Sequence, residues 1–250
     1  MKNLFLTHEK QQGLNSKLTF KCQMCSVSQS VFTCHEEENT SRESEVLINK
    51  EVVAGTMLSG NGFTQCKRVF ESINVPFIDS KIYRKIQNDS KAVWAETAEI
   101  KMKEAIEEEK QIAIQNGDVD KDGQVLLTVV TDGAWSHRSY GSKFSSLSGI
   151  ATIIGFKSKK VLYYGVKNKY CHICRLNENK GNGIPEHLCN KNHTGPSTKM
   201  ESDILVEGFK HCFEKYGVIF NNFIADGDSN VHKKFLEAKP YIHTTIQLIR

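Results

Sequence analysis

The chain has 250 residues, 33 Lys plus Arg against 29 Asp plus Glu, and eight cysteines. That length suits one large domain or two modest ones with a real core, and 39% apolar with 25% charged residues describes a globular protein, not a disordered or fibrous one. A net charge of +4 permits nucleic acid as a partner without arguing for it, and no apolar run approaches the roughly 18 residues of a membrane helix. The start, Met1 to His8, turns polar after three apolar residues, so a secretory leader is not expected. A reducing compartment follows, and cysteines there read as metal ligands or core thiols before disulfides.

In chain order, residues 1–51 come first. Cys22, Cys25 and Cys34 with the adjacent His35 follow the strand-like Leu18-Thr19-Phe20-Lys21, which suggests a zinc-ribbon-like segment with these four as ligands. Adjacent Cys34 and His35 are awkward joint ligands, so a partner such as His8 is an alternative. The acidic stretch from Glu36 to Glu45 reads as a solvated linker. Residues 52–117 form a helical region: short helices punctuated by Gly55, Gly60, Gly62 and Pro76, then a long helix capped by Asp79 or Ser80 and ended by Asn116-Gly117. Its acidic run, Glu104 to Glu109, is expected to face solvent.

From residue 118 the texture becomes strand-like. Asp118, Asp120 and Asp122 mimic half a calcium loop, but Val129 stands where the bidentate Glu is required, and a solvated turn is the better reading. Val125–Thr131, Leu147–Phe156 and Val161–Val166 are strand candidates. After a polar Cys/His segment at 168–199, residues 201–216 have helical periodicity. Val218–Ala225 is a strand, about 230–238 a short helix, and Thr244–Ile249 a last strand. The order β-β-β-α-β-α-β makes the first and fourth strands neighbours in a mixed sheet. Each of the two ends in Asp-Gly, at Asp132 and Asp226, on the sheet edge where α/β proteins build sites. Two facing carboxylates repel unless a divalent cation lies between them, and Mg²⁺ or Mn²⁺ suits such oxygen ligands. A turn after a strand is the plain alternative for each Asp-Gly.

Cys171, Cys174, Cys189 and His193 form a C-x2-C-x14-C-x3-H pattern suited to tetrahedral zinc, with His172 and His187 as rival ligands. Around it, residues 157–180 are basic and aromatic. Lys157, Lys159, Lys160, Lys167, Lys169 and Arg175 would suit a DNA backbone, or simply a solvated face. Trp135 and His137 would touch DNA beside Asp132, or pack the hairpin.

Asp132-Gly133-Ala134-Trp135, Ser146-Leu147-Ser148-Gly149, the Tyr170 to Cys174 and Cys189 to Gly195 segments, and Asp226-Gly227-Asp228-Ser229 together resemble the Mutator-like transposase domain, from about Val52 onward. The resemblance implies an incomplete ribonuclease H-like mixed sheet at 118–250 carrying the zinc-binding insertion. It implies metal-dependent DNA cleavage and strand transfer by a DDE carboxylate site, with Asp132 first and Asp226 second and Mg²⁺ or Mn²⁺ between them. The third carboxylate of such cores lies on a helix beyond the fifth strand, past Arg250 in this sequence, so the triad is expected to be incomplete. DNA at transposon ends is the implied partner, in the nucleus, with a homo-oligomer possible and no membrane. The alternative is a non-catalytic, zinc-dependent DNA-binding protein.

Overall fold

The computed structural model describes residues 3–34, 46–136, 145–181, 183–225, 234, 235, 237, 238, 240, 241 and 246–249. These form a mixed α/β fold of two compact units, residues 1–97 and 98–250.

In the first unit, β1 (Leu4–Gln12), β2 (Asn15–Cys22) and β3 (Ser28–Phe32) make an antiparallel three-stranded meander. Gly13 and Leu14 turn the first hairpin, and Gly13 takes φ +68°, a conformation that L side chains rarely adopt. A Cβ there would also fall 2.5 Å from Ile78 and 2.6 Å from Asn49. Asn49 belongs to α1 (Leu47–Leu58). Its buried amide accepts from Leu14 N at 3.0 Å and donates to Gln12 O at 3.1 Å, so one side chain clamps the turn to the helix. After α2 (Phe63–Ser72) comes α3 (Ser80–Asn116), where Asp79 Oδ1 accepts from Lys81 N at 2.7 Å as the expected cap. Val53, Ile78, Tyr83 and Ile86 form the small core, with Phe63 and Phe77 packed on it.

The second unit contains the rest of α3, then β4 (Val125–Trp135), β5 (Ser148–Gly155), β6 (Val161–Asn168), α4 (His172–Lys180), α5 (Met200–Tyr216), β7 (Val218–Ile224) and β8 (Gln247–Ile249). The sheet order is β6-β5-β4-β7-β8. β5 runs antiparallel to both neighbours, whereas β4–β7 and β7–β8 are parallel, so the first and fourth strands of this unit pair as the sequence predicts. Residues 234, 235, 237 and 238 are helical, in keeping with the short helix expected there.

Helix α5 covers one face of this sheet because two glycines let backbone and side chains approach. A Cβ at Gly165 would lie 2.4 Å from Ile204, and one at Gly208 would lie 2.5 Å from Tyr163. Phe209 then fills the centre, with Phe220 at 5.0 Å and Phe235 at 4.4 Å between ring centroids. Each such buried side chain contributes about 1.5–3 kcal/mol over an exposed one.

One acidic residue departs from the solvated helix face expected of 104–109. Glu109 is 2% exposed, and its carboxylate accepts from Lys157 N at 2.9 Å and Ser158 N at 2.7 Å. It satisfies the donors of the β5–β6 turn, where Lys159 takes φ +59°.

Candidate metal centre and the Asp132 strand end

Helix α4 begins directly after Cys171, so the C-x2-C spacing sets Cys171 at its cap and Cys174 within its first turn. Both thiols are buried, and Arg175 N donates to Cys171 O at 3.0 Å to close that turn. Gly181, with φ +66°, ends the helix, and residues 183–192 form no helix or strand. That segment returns His187 and Cys189 to the same place. The donor atoms of Cys171, Cys174, His187 and Cys189 all lie within 4.8 Å of one another.

His187 Nε2 stands 3.3 Å from Cys171 Sγ and 3.4 Å from Cys174 Sγ, and the sulfurs of Cys174 and Cys189 are 3.5 Å apart. His187 Nδ1 lies 2.8 Å from Pro185 O. A carbonyl only accepts, so Nδ1 carries the proton and Nε2 is turned toward the thiols, the arrangement of a metal-ligating histidine oriented by a backbone carbonyl. The Pro185 carbonyl is also the largest cause that raises His187 to about 9. The Cys174 backbone N–H lowers Cys171 to about 6, while the hydrogen bond with Cys189 raises Cys174 to about 11. Three thiols and one imidazole in this space fit a tetrahedral metal such as zinc.

The fourth donor in this group is His187, and His193 is not among the four. His193 is buried, with Nε2 3.2 Å from Pro196 O and Nδ1 3.8 Å from Asp203. The reason is local geometry. Cys189 and His193 would share a side if 189–193 formed a helical turn, which they do not, and His187 and Cys189 lie in the same segment of irregular chain. The H-x-C spacing was the available signal. His172 also stays outside the cluster, with Nδ1 3.2 Å from Tyr170 Oη.

The Cys/His segment is fastened to β6, the edge strand, by Asn192. Its Oδ1 accepts from Asn168 N at 2.7 Å and its Nδ2 donates to Val166 O at 2.9 Å. Asn192 N and His193 N both donate to Asn168 O, at 2.9 and 3.0 Å. Edge-strand groups that would otherwise face solvent are thereby paired.

Of the four N-terminal candidates, the three described cysteines do not come together. Cys22 ends β2 and Cys25 lies in the β2–β3 turn, but Cys34 follows β3 and donates its N–H to Asn15 Oδ1 at the other end of β2. Eight residues of strand separate those ends, about 23 Å at the usual rise. The residues between Cys25 and Cys34 are a strand leading away from the first pair. His8 sits along β1 opposite Thr19, and His35 lies outside the described residues.

Asp132 is exposed near the carboxyl end of β4, opposite Thr152 of β5, whose hydroxyl donates to Asp132 O at 3.4 Å. Asp226 and His137 lie outside the described residues. Trp135 is 40% exposed, and its Nε1 donates to Ser197 O at 3.4 Å. Among the basic candidates, Lys160 pairs with Glu108 and Lys167 with Glu207, so two charges are locally compensated. Lys157 and Lys159 approach the Phe156 ring, Lys159 at 4.2 Å from its centroid. Lys169 donates its backbone N–H to Leu147 O, and Arg175 is exposed on α4.

Fold and site define a mixed α/β protein with a Cys₃His cluster able to hold a metal such as zinc. The chain belongs to the Mutator-like transposase family, whose model matches residues 1–249. The match includes the N-terminal meander, which the resemblance in sequence motifs, starting near Val52, had left out. No curated protein and no solved structure matches the chain. No helix among the described residues is long and apolar enough to cross a membrane.

Proposed function

We propose that this transposase-family chain carries a ribonuclease H-like core whose ancestral reaction is metal-dependent DNA cleavage and strand transfer at transposon ends in the nucleus. The family match over the whole chain carries the reading. The sheet supports it: three strands in a meander, the middle one reversed, with later strands added in parallel beside the first. Ile224, the last residue of β7, pairs with Val130 of β4, two residues before Asp132, and Asp226 follows Ile224 by two residues in the sequence.

Asp132 fits an oxygen ligand for Mg²⁺ or Mn²⁺, since it is an exposed carboxylate on a paired strand. A bound divalent cation would lower the pKa of water or a 3′-hydroxyl and stabilise the leaving oxygen. The protein's part is positional. Asp132 pairs with Thr152 of β5, whose hydroxyl also donates to the Asp132 carbonyl, and β4 is paired with β7 up to Val130, which restrains the backbone leading to Asp132. The Cys171, Cys174, His187 and Cys189 cluster would hold zinc structurally, joining the start of α4 to the returning segment beside β6. Lys157, Lys159, Lys169 and Arg175 are the basic residues in reach of a DNA backbone on this reading.

Nicking of supercoiled plasmid with Mg²⁺ or Mn²⁺, compared with Asp132→Ala, tests the proposal. Loss of nicking in the variant, with DNA binding kept, is the expected outcome. Equal nicking by both proteins removes Asp132 from the reaction. DNA binding without nicking in either leaves the non-catalytic zinc- and DNA-binding reading.

A further inference from the structure

The start of α5 is fastened to the ends of β4 and β5. Ser197, just before the helix, donates its hydroxyl to Ser146 O at 2.6 Å and accepts the Trp135 indole N–H on its carbonyl. A Cβ at Gly149, the β5 partner of Trp135, would come within 3.2 Å of the sulfur of the fully buried Met200, so helix and strand approach closely there. The next residue, Glu201, is thereby delivered to β4 itself. A Cβ at Gly133 would lie 2.5 Å from Glu201 Cδ and 2.7 Å from its Oε2, so the carboxylate fills the space of the missing side chain. Gly133 directly follows Asp132.

Two acidic residues lie in the first turn of α5, and they are placed differently. Asp203 meets Lys234 at 3.3 Å and His193 at 3.8 Å. Glu201 is half-buried and lies against the backbone of a strand. Favouring the helix dipole needs no such contact, because a carboxylate in water beside the first turn serves equally well. Neighbours on a strand face opposite ways, so Asp132 and Glu201 come to the end of β4 from its two faces. Asp132 and Gly133 pair with β5 along one edge, and pairing with β7 along the other runs up to Val130.

We propose, on the reading of Asp132 as a cation ligand, that Glu201 is a second carboxylate ligand of the same divalent cation, the two converging on the β7-side edge of β4 beyond Val130. Mg²⁺ is usually bound through one or two carboxylates plus waters and substrate phosphate oxygens, so this pair is a sufficient protein share. Glu201 precedes β7 in the chain and is distinct from the third carboxylate expected past Arg250. Gly133 becomes a working part of the site, since any larger residue would push the Glu201 carboxylate off the strand.

Mn²⁺ binding to the zinc-loaded full chain, read from the electron paramagnetic resonance signal of the free ion, tests this, with plasmid nicking measured beside it. Glu201→Gln keeps the shape and removes the charge. It should weaken Mn²⁺ binding at least about tenfold and slow nicking, with the thermal melt little changed. Gly133→Ala keeps both carboxylates and should weaken Mn²⁺ binding as well, by displacing one of them. Asp132→Asn is the reference. If it weakens Mn²⁺ binding while Glu201→Gln does not, the proposal is overturned and the role of Asp132 stands. Affinity unchanged in both variants, or no Mn²⁺ bound by the unmodified chain, overturns both. A lowered melting temperature in Glu201→Gln with Mn²⁺ affinity kept marks a helix-dipole role and also overturns the proposal.

Discussion

The chain has two C-x2-C turns, and they end differently. At Cys171 and Cys174 the turn opens a short helix, and the segment after it doubles back to deliver His187 and Cys189. At Cys22 and Cys25 the turn opens a strand that pairs with β2 and carries Cys34 away. The short spacing specifies half a site in both places. The other half depends on whether the following chain returns, which backbone pairing decides. An irregular segment held by side-chain hydrogen bonds can turn back, whereas a strand committed to a sheet runs straight.

The most disruptive test of the contrast is removal of one thiol from each site. Cys174→Ser takes a buried ligand from a four-donor cluster, so zinc should be lost from the second unit. Apparent zinc-binding energies of about 10–16 kcal/mol in zinc-finger peptides indicate that thermal stability should fall steeply with it. Cys34→Ser, in contrast, should leave zinc content unchanged. Metal analysis and a thermal melt of each variant are sufficient, and zinc loss in the Cys34 variant would mean that the N-terminal thiols share a metal after all.

Next in size is the choice of histidine. His187→Ala should weaken zinc binding by at least about tenfold to a hundredfold, since a ligand itself is lost. His193→Ala should keep one zinc in the cluster even if the fold is somewhat less stable, because His193 faces Pro196 and Asp203. Equal zinc loss from both variants would put His193 back among the ligands.

Much of the architecture could be read beforehand for identifiable reasons. Runs such as Val125–Thr131 and Val218–Ala225 are long enough and apolar enough to be buried strands, and β4 and β7 occupy them. Asp79 and Asn116-Gly117 bound α3 because a cap and a helix stop are local chemistry. The choice of His187 over His193 was less legible, since it depends on the path of an irregular segment, residues 183–192. The burial of Glu109 was illegible: its partners, Lys157 and Ser158, lie 48 and 49 residues away, and nothing in an acidic run marks the member that turns inward. The separation of Cys34 from Cys22 likewise depends on strand pairing that a cysteine pattern does not record.

Acid should distinguish the completed cluster from a set of independent surface thiols. Zinc ligation needs His187 without its ligating-nitrogen proton and the thiols as thiolates. With His187 raised to about 9 and Cys174 to about 11, metal binding near neutral pH must displace protons from both, whereas Cys171, lowered to about 6, is already largely thiolate. Affinity should therefore climb as pH rises toward about 9 and fall on acidification, most steeply once Cys171 also protonates below about 6. Competition with a chromophoric chelator between those limits measures the slope. A pH-independent affinity would contradict this assignment of the ligands.

The smallest expected effect concerns what holds the returning segment in place. Asn192 and Asn49 do similar work in the two units: each side-chain amide both accepts from and donates to backbone of a strand or turn. Asn49 is fully buried, so Asn49→Ala removes the acceptor of Leu14 N and a donor to Gln12 O, which costs about 1–3 kcal/mol for a buried group left unsatisfied. Asn192 is exposed, and water can take its place on Asn168 and Val166. Asn192→Ala should therefore cost only about 1 kcal/mol and leave zinc content intact. Its readout is hydrogen exchange at Asn168 N, which should speed up while amides in β4 stay protected. Zinc loss in this variant would show that the β6 edge, and not the cluster's own geometry, brings His187 and Cys189 back to the helix.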